Sequence, residues 1–350
     1  MREGSSCRSS RDGSSKLIIT SKRNIALEIN KPDRLVEATQ SMRSPKVTVV
    51  VPVYNGAGYL GETLESLLTQ SFTDFELLVI DDGSTDASGD IVRSMKDDRI
   101  RLIVKENGGL CHALNRGIEE AKASYIARND QDDISFPHRL ERQLKVMEDH
   151  PEAIGLFAYN TKFGTKHRWS NTDKLTMAAG EIREYEPLQD GTLLGSTMFV
   201  RTEALRAIHG FRQSYYPVDD WDLECRLAEA GKVLVLQEPL VAYRFQTSAN
   251  TYRVFAEMQE KTRWTEDSYH RRLKKIPELT FEQFVTTQPQ NGWSRLARRR
   301  IDAAKLQMRV AGQDYLDGRY LAAAMHLSAA VALNPGDVAG RVRRLLGGSV

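Results

Sequence analysis

A cluster of carboxylates lies near the middle of the chain, in the stretch "YIARNDQDDISFPHRL". Asp130, Asp132 and Asp133 fall within four consecutive positions, directly after a short apolar run. Asp is common where strands end, so this cluster is typical of a solvated turn. Carboxylates are also hard oxygen ligands of the kind that bind Mg²⁺ or Mn²⁺, so a cation site is the second interpretation.

A second acidic cluster, Asp219, Asp220 and Asp222, lies in "VDDWDLECRLAEAG" at the predicted start of a helix. Carboxylates suit that position because the free N–H groups and the dipole of a helix favour negative charge at its N-terminus. This cluster therefore has a structural explanation. A carboxylate can also accept a proton from a hydroxyl group as a new bond forms, so general-base chemistry is the alternative.

The composition is that of an ordinary globular protein, with 350 residues, 41% hydrophobic and 27% charged. Three widely separated Cys argue against a disulfide framework or a Cys-based zinc site and fit a reducing compartment, so we expect a cytoplasmic protein. No stretch approaches the ~18–20 apolar residues that a membrane-spanning helix needs. The "LIIT" at 17–20 is too short for a signal peptide.

The net charge of +2 hides an asymmetry along the chain. Residues 1–46 carry ten Lys or Arg against five Asp or Glu, and residues 292–350 carry ten against four, so the middle is acidic. Basic ends favour peripheral contact with an anionic membrane at its inner face, and an acidic centre favours a cation site. The simpler alternative is that the basic ends keep the protein soluble. No nucleic-acid partner is expected.

Strands and short helices alternate from residue 46 to about residue 130. The predicted strands are "KVTVVVPVYN" (46–55), "FELLVIDDGSTD", "RIRLIVKE" and "SYIARNDQDD". Between them, "GYLGETLESLLTQSF", "ASGDIVRSMKDD" and "NGGLCHALNRGIEEAKA" are typical of helices, the first with leucines at helical spacing. This alternation predicts an α/β fold with a mainly parallel sheet that is flanked by helices.

In parallel sheets of this kind, ligands bind beyond the carboxyl ends of the strands. Those ends here read "PVYN", "DDGS", "ENGG" and "NDQDD". The first acidic cluster is therefore predicted to share one rim of the sheet with Asn55, Asp81 and Asp82.

After about residue 160 the alternation of strands and helices weakens, although residues 195–211 predict a strand followed by a helix. From about residue 251 the chain is helical, basic and rich in Ala.

Five motifs in this order resemble the family 2 glycosyltransferases, which have the nucleotide-diphospho-sugar-binding GT-A fold. They are "VTVVVPVYNGAGYLGETLESLLTQSF", "FELLVIDDGSTD", "NGGLCHALNRGI", "YIARNDQDDISFPHRL" and "DDWDLECRLAEAG". The resemblance covers roughly residues 47–245. We therefore expect a disordered, basic, Ser-rich tail over 1–45, a glycosyltransferase domain over 46–250 and a helical C-terminal region over 251–350.

The resemblance implies roles for the residues on the predicted rim. The nucleotide base and ribose are expected to contact Pro52, Val53, Tyr54 and Asn55. Asp82 is expected to accept a hydrogen bond from the uracil N3–H, with Asp81 supporting it. Asn115 and Arg116 are expected to face the diphosphate.

The two acidic clusters also acquire roles from the resemblance. Asp132 aligns with the family's Mn²⁺ or Mg²⁺ ligand, and Asp130 is expected to approach the ribose or complete the metal's shell through water. Asp220 inherits the role of catalytic base. Asp219 stands where the family usually has Glu, so Asp222 remains an alternative base. Asp219 and Trp221 are expected to contact the acceptor.

These roles imply a metal-dependent, hexosyltransferase-like enzyme that inverts the transferred sugar. Its expected donor is a nucleotide-diphospho-sugar, in the first place a UDP-sugar, and its acceptor a glycan or lipid-linked hydroxyl in cell-surface polysaccharide synthesis. A nucleotidyltransferase is disfavoured because "PVYNGAGYLGE" carries no basic residue, and a dehydrogenase because no G-x-G-x-x-G follows the first strand. A non-catalytic sugar-nucleotide-binding module that acts through its helical tail is the alternative.

A single helical motif lies near the C-terminus. The segment "AGQDYLDGRYLAAAMHLSAAVALNPGD" (311–337) resembles one tetratricopeptide unit, with the wider helical region around 303–337. A single unit cannot bury its own apolar face. We therefore expect it to pack on a neighbouring helix or to mediate self-association.

Overall fold

The structure is a computed structural model that describes residues 44–164, 180–245, 249–288, 292–336 and 338–339. The tail predicted for residues 1–45 lies outside the described residues except for its last two positions. The element bounds below refer to the described part of the chain.

Four strands of the first half form a parallel sheet, as predicted. They are β1 (Val47–Val53), β2 (Phe75–Asp81), β3 (Ile100–Val104) and β4 (Tyr125–Arg128). Their order is β3-β2-β1-β4, and each neighbouring pair is parallel. All residues of β1 and β2 are buried, as expected for apolar strands that are covered on both faces.

The connections between these strands are helical. They contain α1 (Leu60–Leu68), α2 (Ser88–Ser94) and α3 (Leu110–Glu120). In α1 the side chains of Leu60, Leu64 and Leu67 are fully buried, which confirms the apolar spacing read from the sequence. Helix α3 lies very close to β1, since a Cβ atom at Gly117 would be 2.4 Å from Cγ1 of Val50. Glycine is therefore required at this approach of helix and sheet.

The second half of the domain extends the same sheet. Its elements are β5 (Ile134–Ser135), α4 (Arg139–Asp149), β6 (Ala153–Phe163), β7 (Ile182–Glu184), α5 (Pro187–Asp190), β8 (Phe199–Arg201), α6 (Thr202–Ala207), α7 (Asp219–Ala230) and β9 (Lys232–Arg244). The sheet order over the described residues is β3-β2-β1-β4-β8-β6-β9-β5, with β7 paired to β9.

Strand β8 joins the two parallel parts of the sheet. It is antiparallel to both β4 and β6, whereas β9 runs parallel to β6. The prediction of an α/β fold with a mainly parallel sheet is thereby confirmed. The strand and helix predicted within residues 195–211 are β8 and α6.

Two hydrophobic cores lie on the two faces of the sheet. One contains leucines of α1 and α4, such as Leu64 and Leu144. The other contains apolar side chains of α3, α6 and α7, including Leu114, Leu205 and Leu223. Packing on both faces places the loops at the strand ends, and not the strand centres, within reach of a ligand.

The C-terminal region is helical, as predicted. It comprises α8 (Ala249–Leu273), α9 (Phe281–Thr287), α10 (Gly292–Leu316) and α11 (Tyr320–Leu333). Helices α10 and α11 are joined at Gly318, whose φ of 72° favours glycine, and His326 Nδ1 lies 2.6 Å from Gln307 Oε1 across the pair. The tetratricopeptide resemblance of this pair stays a prediction. None of the helices within the described residues is long and apolar enough to cross a membrane.

Candidate active site

A cavity of about 470 Å³ opens at the carboxyl ends of β1, β2 and β4. Six of the predicted site residues line it, namely Pro52, Val53, Tyr54, Asp82, Asp130 and Asp132. The turn before α3 contributes Asn107 and Gly109, and the segment before α7 contributes Gln213 and Tyr216. Of the rim predicted from the strand ends, Asp82, Asp130 and Asp132 therefore lie in the wall of one cavity.

Asp82 follows β2 directly and is buried in the cavity wall. Its carboxylate forms an ion pair with Lys105 and accepts hydrogen bonds from the backbone N–H groups of Gly108 (3.0 Å) and Gly109 (2.7 Å). These contacts fix the carboxylate and neutralise its charge. Lys105 is not among the site residues predicted from the sequence. It follows β3 directly and so belongs to the same edge of the sheet.

Asn55 and Asp81 shape the turn that follows β2. The side-chain oxygen of Asn55 accepts from the backbone N–H of Thr85 at 2.8 Å, and Asp81 Oδ1 accepts from the backbone N–H of Ser84 at 2.8 Å. Asn55 has a φ of 49°, a left-handed conformation that Asn tolerates. Both residues hold the loop beside the cavity without lining it.

Asn115 and Arg116 have partners on the body of the domain. The amide of Asn115 donates to the carbonyl of Phe211 at 2.9 Å and its oxygen accepts from the backbone N–H of Phe211 at 2.8 Å. Arg116 forms an ion pair with Glu120 at 2.6 Å within α3. The structure does not bring these two residues to the cavity, so their role at the diphosphate stays a prediction.

The carboxylates of the first acidic cluster have different environments. Asp133 is fully buried and accepts from Ser196 Oγ at 2.5 Å and from the backbone N–H of Arg244 at 2.9 Å. Asp132 faces the cavity, where burial and the adjacent Asp130 raise the pKa of its carboxyl to about 6. The buried anchor at Asp133 shows that this loop is more than a solvated turn.

Gln131 connects this loop to the end of β1. Its Oε1 accepts from the backbone N–H of Tyr54 at 2.9 Å, and its Nε2 donates to the carbonyl of Tyr54 at 3.2 Å. The pair fixes the distance between the two loops that flank the cavity. Sequence reasoning missed Gln131, because a Gln within an acidic turn has no pattern that predicts a distant partner.

Arg128, the last residue of β4, is buried and connects the two acidic clusters. Its guanidinium donates to Asp130 Oδ1 at 2.9 Å and to Oδ2 at 3.3 Å, and it also forms an ion pair with Asp220. Burial lowers the pKa of Arg128, but the surrounding carboxylates outweigh this and raise it, so it remains charged. The sequence does show a charged residue at the end of an apolar strand. Because buried arginines need partners, this position could have indicated that Arg128 binds a carboxylate.

The second acidic cluster begins helix α7. Asp220 has 31% of its side chain exposed and reaches Arg128. Burial raises the pKa of Asp220, and the charge of Arg128 opposes that shift. Asp219 is buried, and burial together with Asp220 raises its pKa to about 7.

Asp222 belongs to a different network. It is fully buried, forms an ion pair with Arg212, and accepts from Arg226 Nε at 2.9 Å. Its side chain therefore ties α7 to the segment that precedes this helix, and it does not line the cavity described above. Asp222 is thus taken up by structural contacts while Asp220 is partly exposed, and the role of either residue as a base stays a prediction.

The residues present fit a divalent cation that is shared with a ligand. No three His, Cys, Asp or Glu side chains among the described residues converge on a point that could hold a metal unaided. Asp132 makes no ion pair with a described residue, and its carboxylate lies in the cavity wall close to that of Asp130. Two carboxylates with open space beside them are typical of sites where phosphate oxygens and water complete the coordination.

A second cavity of about 670 Å³ has Asp220 in its wall. The predicted acceptor residue Trp221 lines it together with Asp220, and residues of β6, α8 and α10 form further walls. Trp221 is buried against Cys225 and Tyr269, and its indole N–H has no acceptor among the described residues. Asp219, the other residue expected to contact the acceptor, does not line this second cavity. Arg128 thus lies between two cavities, touching one through Asp130 and the other through Asp220.

Comparison with known proteins agrees with these features. Residues 48–208 match the family model "Glycosyl transferase family 2". The chain is 34% identical over 222 residues to the putative glycosyltransferase EpsE of Bacillus subtilis, a match that covers 60% of this chain and 77% of that protein.

Two solved structures have a similar fold. The mannosyltransferase PcManGT from Pyrobaculum calidifontis, in complex with GDP-Man and Mn²⁺, matches with a TM-score of 0.51 and 21% identity over 85% of this chain and 88% of that chain. S. aureus TarS 1-349 in complex with UDP-GlcNAc matches with a TM-score of 0.50 and 18% identity over 84% of this chain and 92% of that chain. At these identities the likeness is one of fold.

Proposed function

The chain belongs to glycosyl transferase family 2, and we propose that it moves a sugar from a nucleotide-diphospho-sugar to an acceptor hydroxyl with inversion at the anomeric carbon. The observation that carries this proposal is the position of Arg128. Its guanidinium holds Asp130 at the first cavity and Asp220 at the second. A donor in the first cavity and an acceptor in the second would therefore meet beside one fixed cation.

The first cavity is assigned to the donor. Its volume of about 470 Å³ and its walls of Pro52, Val53 and Tyr54 suit a nucleoside, and Asp82 offers a fixed acceptor for the N–H of a uracil base. A UDP-sugar is the expected donor. Because solved structures of similar fold hold UDP-GlcNAc in one case and GDP-Man in the other, both nucleotides belong in the test.

Asp132 and Asp130 are the proposed ligands of Mn²⁺ or Mg²⁺. When bound, such an ion stabilises the negative charge that develops on the departing diphosphate. The chain's own contribution is to hold the two carboxylates in place, Asp130 through Arg128 and the loop through the buried Asp133. Among the described residues, Asp132 is the one carboxylate of the three whose side chain makes no hydrogen bond or ion pair, which leaves it available to a metal ion.

Asp220 is the proposed general base. As the acceptor oxygen bonds to the anomeric carbon, its proton passes to the carboxylate of Asp220, and the bond from that carbon to the diphosphate oxygen breaks. One displacement from the opposite face inverts the configuration and leaves no glycosyl-enzyme. Trp221 offers an aromatic face beside Asp220 for an acceptor sugar, and Asp219 is buried next to it.

A donor screen tests this proposal. UDP- and GDP-sugars are incubated with the full chain and candidate glycan and lipid-linked acceptors, with Mn²⁺ or with EDTA, and release of UDP or GDP is measured. We expect release with at least one donor that requires both acceptor and metal. Nucleotide-sugar binding without turnover for any acceptor would instead favour the non-catalytic binding module.

The location and partners of the enzyme are part of the proposal. We propose action in cell-surface polysaccharide synthesis on the cytoplasmic side of a membrane, with the basic ends contacting anionic lipid.

The C-terminal helices offer a surface for self-association. Helix α11 exposes Leu321 and Met325, by 80% and 67%, and this apolar face suits contact with a second copy of the chain. Sedimentation with anionic and neutral vesicles, and sedimentation velocity of the protein alone, test the two contacts separately.

A further inference from the structure

The second cavity is built jointly by the glycosyltransferase domain and the C-terminal helices. The end of β6 packs directly on α10, since a Cβ atom at Gly164 would be 2.9 Å from Cβ of Leu316. Helix α8 adds Phe255 and Met258, and α10 adds Lys305 and Arg309. The C-terminal helices are therefore a wall of the proposed acceptor site and not a detached appendage.

One side of this cavity is held in place by a buried carboxyl group. Glu224 of α7 accepts from the backbone N–H of Leu193 at 3.0 Å and from the hydroxyl of Tyr185 at 2.9 Å. Leu193 belongs to the loop between α5 and β8 that lines the cavity beside Asp220. The wall of the cavity formed by this loop is thus fixed by internal contacts.

The charges that line the cavity are unbalanced. Lys162, Lys305 and Arg309 lie in its wall, while Asp220 is the only acidic residue among its described lining residues and is already paired with Arg128. Lys162 Nζ and the guanidinium of Arg309 lie 5.2 Å and 4.8 Å from the ring centre of Phe245.

Among the described residues these three cations have no carboxylate partner. Lys305 Nζ donates to the neutral side chain of Gln259 at 3.0 Å, and the Nε of Arg309 has no acceptor among the described residues. Across the described ranges, none of Lys162, Lys305 and Arg309 makes an ion pair with a carboxylate. Like charges gathered in a cavity repel one another unless an anion joins them.

We propose that the acceptor is an anionic sugar compound, whose phosphate or carboxylate group is bound by Lys162, Lys305 and Arg309 while its hydroxyl faces Asp220. This inference rests on the proposed function, because it takes the second cavity as the acceptor site. Lysine and arginine are the side chains that bind phosphate and carboxylate groups most strongly. The apolar surface of Trp221 and Phe255 would cover the sugar ring.

Binding of three matched probes tests the proposal. Glucose, glucose 6-phosphate and glucuronate have the same ring, and their affinities for the full chain are measured by ligand-observed NMR or calorimetry. We expect at least one anionic probe to bind about 10-fold or more tightly than glucose, the scale of a charged hydrogen bond. That advantage should shrink as salt is added. A preference for both anions over glucose indicates that the cavity recognises negative charge alone. A preference for glucose 6-phosphate over glucuronate indicates that it recognises a phosphate group.

Variants locate the effect in the cavity. The double variant Lys162→Gln/Arg309→Gln should lose the preference for the anionic probe, while the exposed-cation control Lys145→Gln/Arg299→Gln should keep it. The single variant Lys162→Gln, at an exposed position, should lose part of the preference and serves if the double variant does not fold. Equal affinities for the three probes, including no detectable binding of any, would overturn the proposal, as would a preference that survives in the double variant.

Nucleotide binding separates this inference from the proposed function. UDP and GDP are titrated with Mn²⁺ into the same samples. Nucleotide binding without any preference for an anionic probe would refute the anionic acceptor alone. Absence of nucleotide binding would refute the donor assignment, whatever the probes show.

Discussion

Arg128 donates a hydrogen bond from its guanidinium to the carboxylate of Asp220, 92 residues further along the chain. The same guanidinium holds Asp130 through both carboxylate oxygens. The end of a parallel strand and the start of a helix are thus connected through one buried cation. Loss of that cation would leave two carboxylates facing each other in a largely buried site.

Arg128→Gln tests this connection. Because breaking a buried ion pair leaves its partners uncompensated, we expect the free energy of unfolding to fall by about 3–5 kcal/mol in urea denaturation. Burial raises the pKa of Asp220 and Arg128 opposes it, so the acid limb of the pH–rate profile should move to higher pH in the variant. If Arg128→Gln does not fold, Arg128→Lys keeps the charge and should show the smaller stability loss. Unchanged stability together with an unchanged profile contradicts the role.

Asp220 and Asp222 should respond to the same substitution in different ways. Asp220→Asn keeps the shape of the side chain but removes its basicity, so turnover should fall by about 10²-fold or more while donor affinity persists. Asp222→Asn weakens the ion pairs with Arg212 and Arg226, so it should lower the melting temperature more than the turnover of the folded enzyme. Nucleotide release and thermal denaturation distinguish the two. The opposite pattern would make Asp222 the base.

The sequence predicted the strands of the first half and the rim they create, because short apolar runs that end in Asp, Asn or Gly have few other interpretations. It also placed Asp82, Asp130 and Asp132 in one region, and the structure brings them to one cavity. These predictions depend on local patterns, which a single sequence contains.

The contacts between distant segments could not be predicted in this way. The charge of Arg128 and Lys105 at strand ends indicates that each needs a partner, but only the fold shows that these partners are Asp220 and Asp82. Strand β6 begins within the part of the sequence where strands and helices alternate clearly. Its pairing with β8 and β9 nevertheless depends on residues more than 40 positions away. The second cavity needs α10 against the end of β6, which no local motif specifies.

Asp132→Ala tests the proposed metal site. In the wild-type protein, Mn²⁺ should raise the melting temperature because a ligand that binds the folded state stabilises it. In the variant that shift should disappear and turnover should be lost, while the melting temperature without metal stays within a few degrees because Asp132 lies on a loop. The exposed carboxylate variant Glu106→Gln is the control. A Mn²⁺-induced shift that persists in Asp132→Ala rules out this ligand.

Asp82→Ala tests the nucleotide assignment. Removing a charged hydrogen-bond acceptor should weaken UDP binding by about 1–3 kcal/mol in calorimetry. The variant also frees Lys105 and the backbone N–H groups of Gly108 and Gly109, so circular dichroism and thermal denaturation are measured alongside. A folded variant with the UDP affinity of the wild type would show that Asp82 serves only to hold the 107–109 turn.

Glu224 should make the stability of the protein depend on pH. Burial raises the pKa of its carboxyl well above the ordinary value, so the folded state binds this proton more tightly than the unfolded state does. Its contribution to stability is therefore present at low pH and is lost as the pH rises through the raised pKa. Glu224→Gln cannot ionise and can still accept from Tyr185 and from Leu193. We expect the variant to lose less stability than the wild type in urea unfolding between about pH 5 and pH 9. The exposed Glu65→Gln serves as control, and identical pH dependence of Glu224→Gln and wild type would show that Glu224 is ionised without cost in the folded protein.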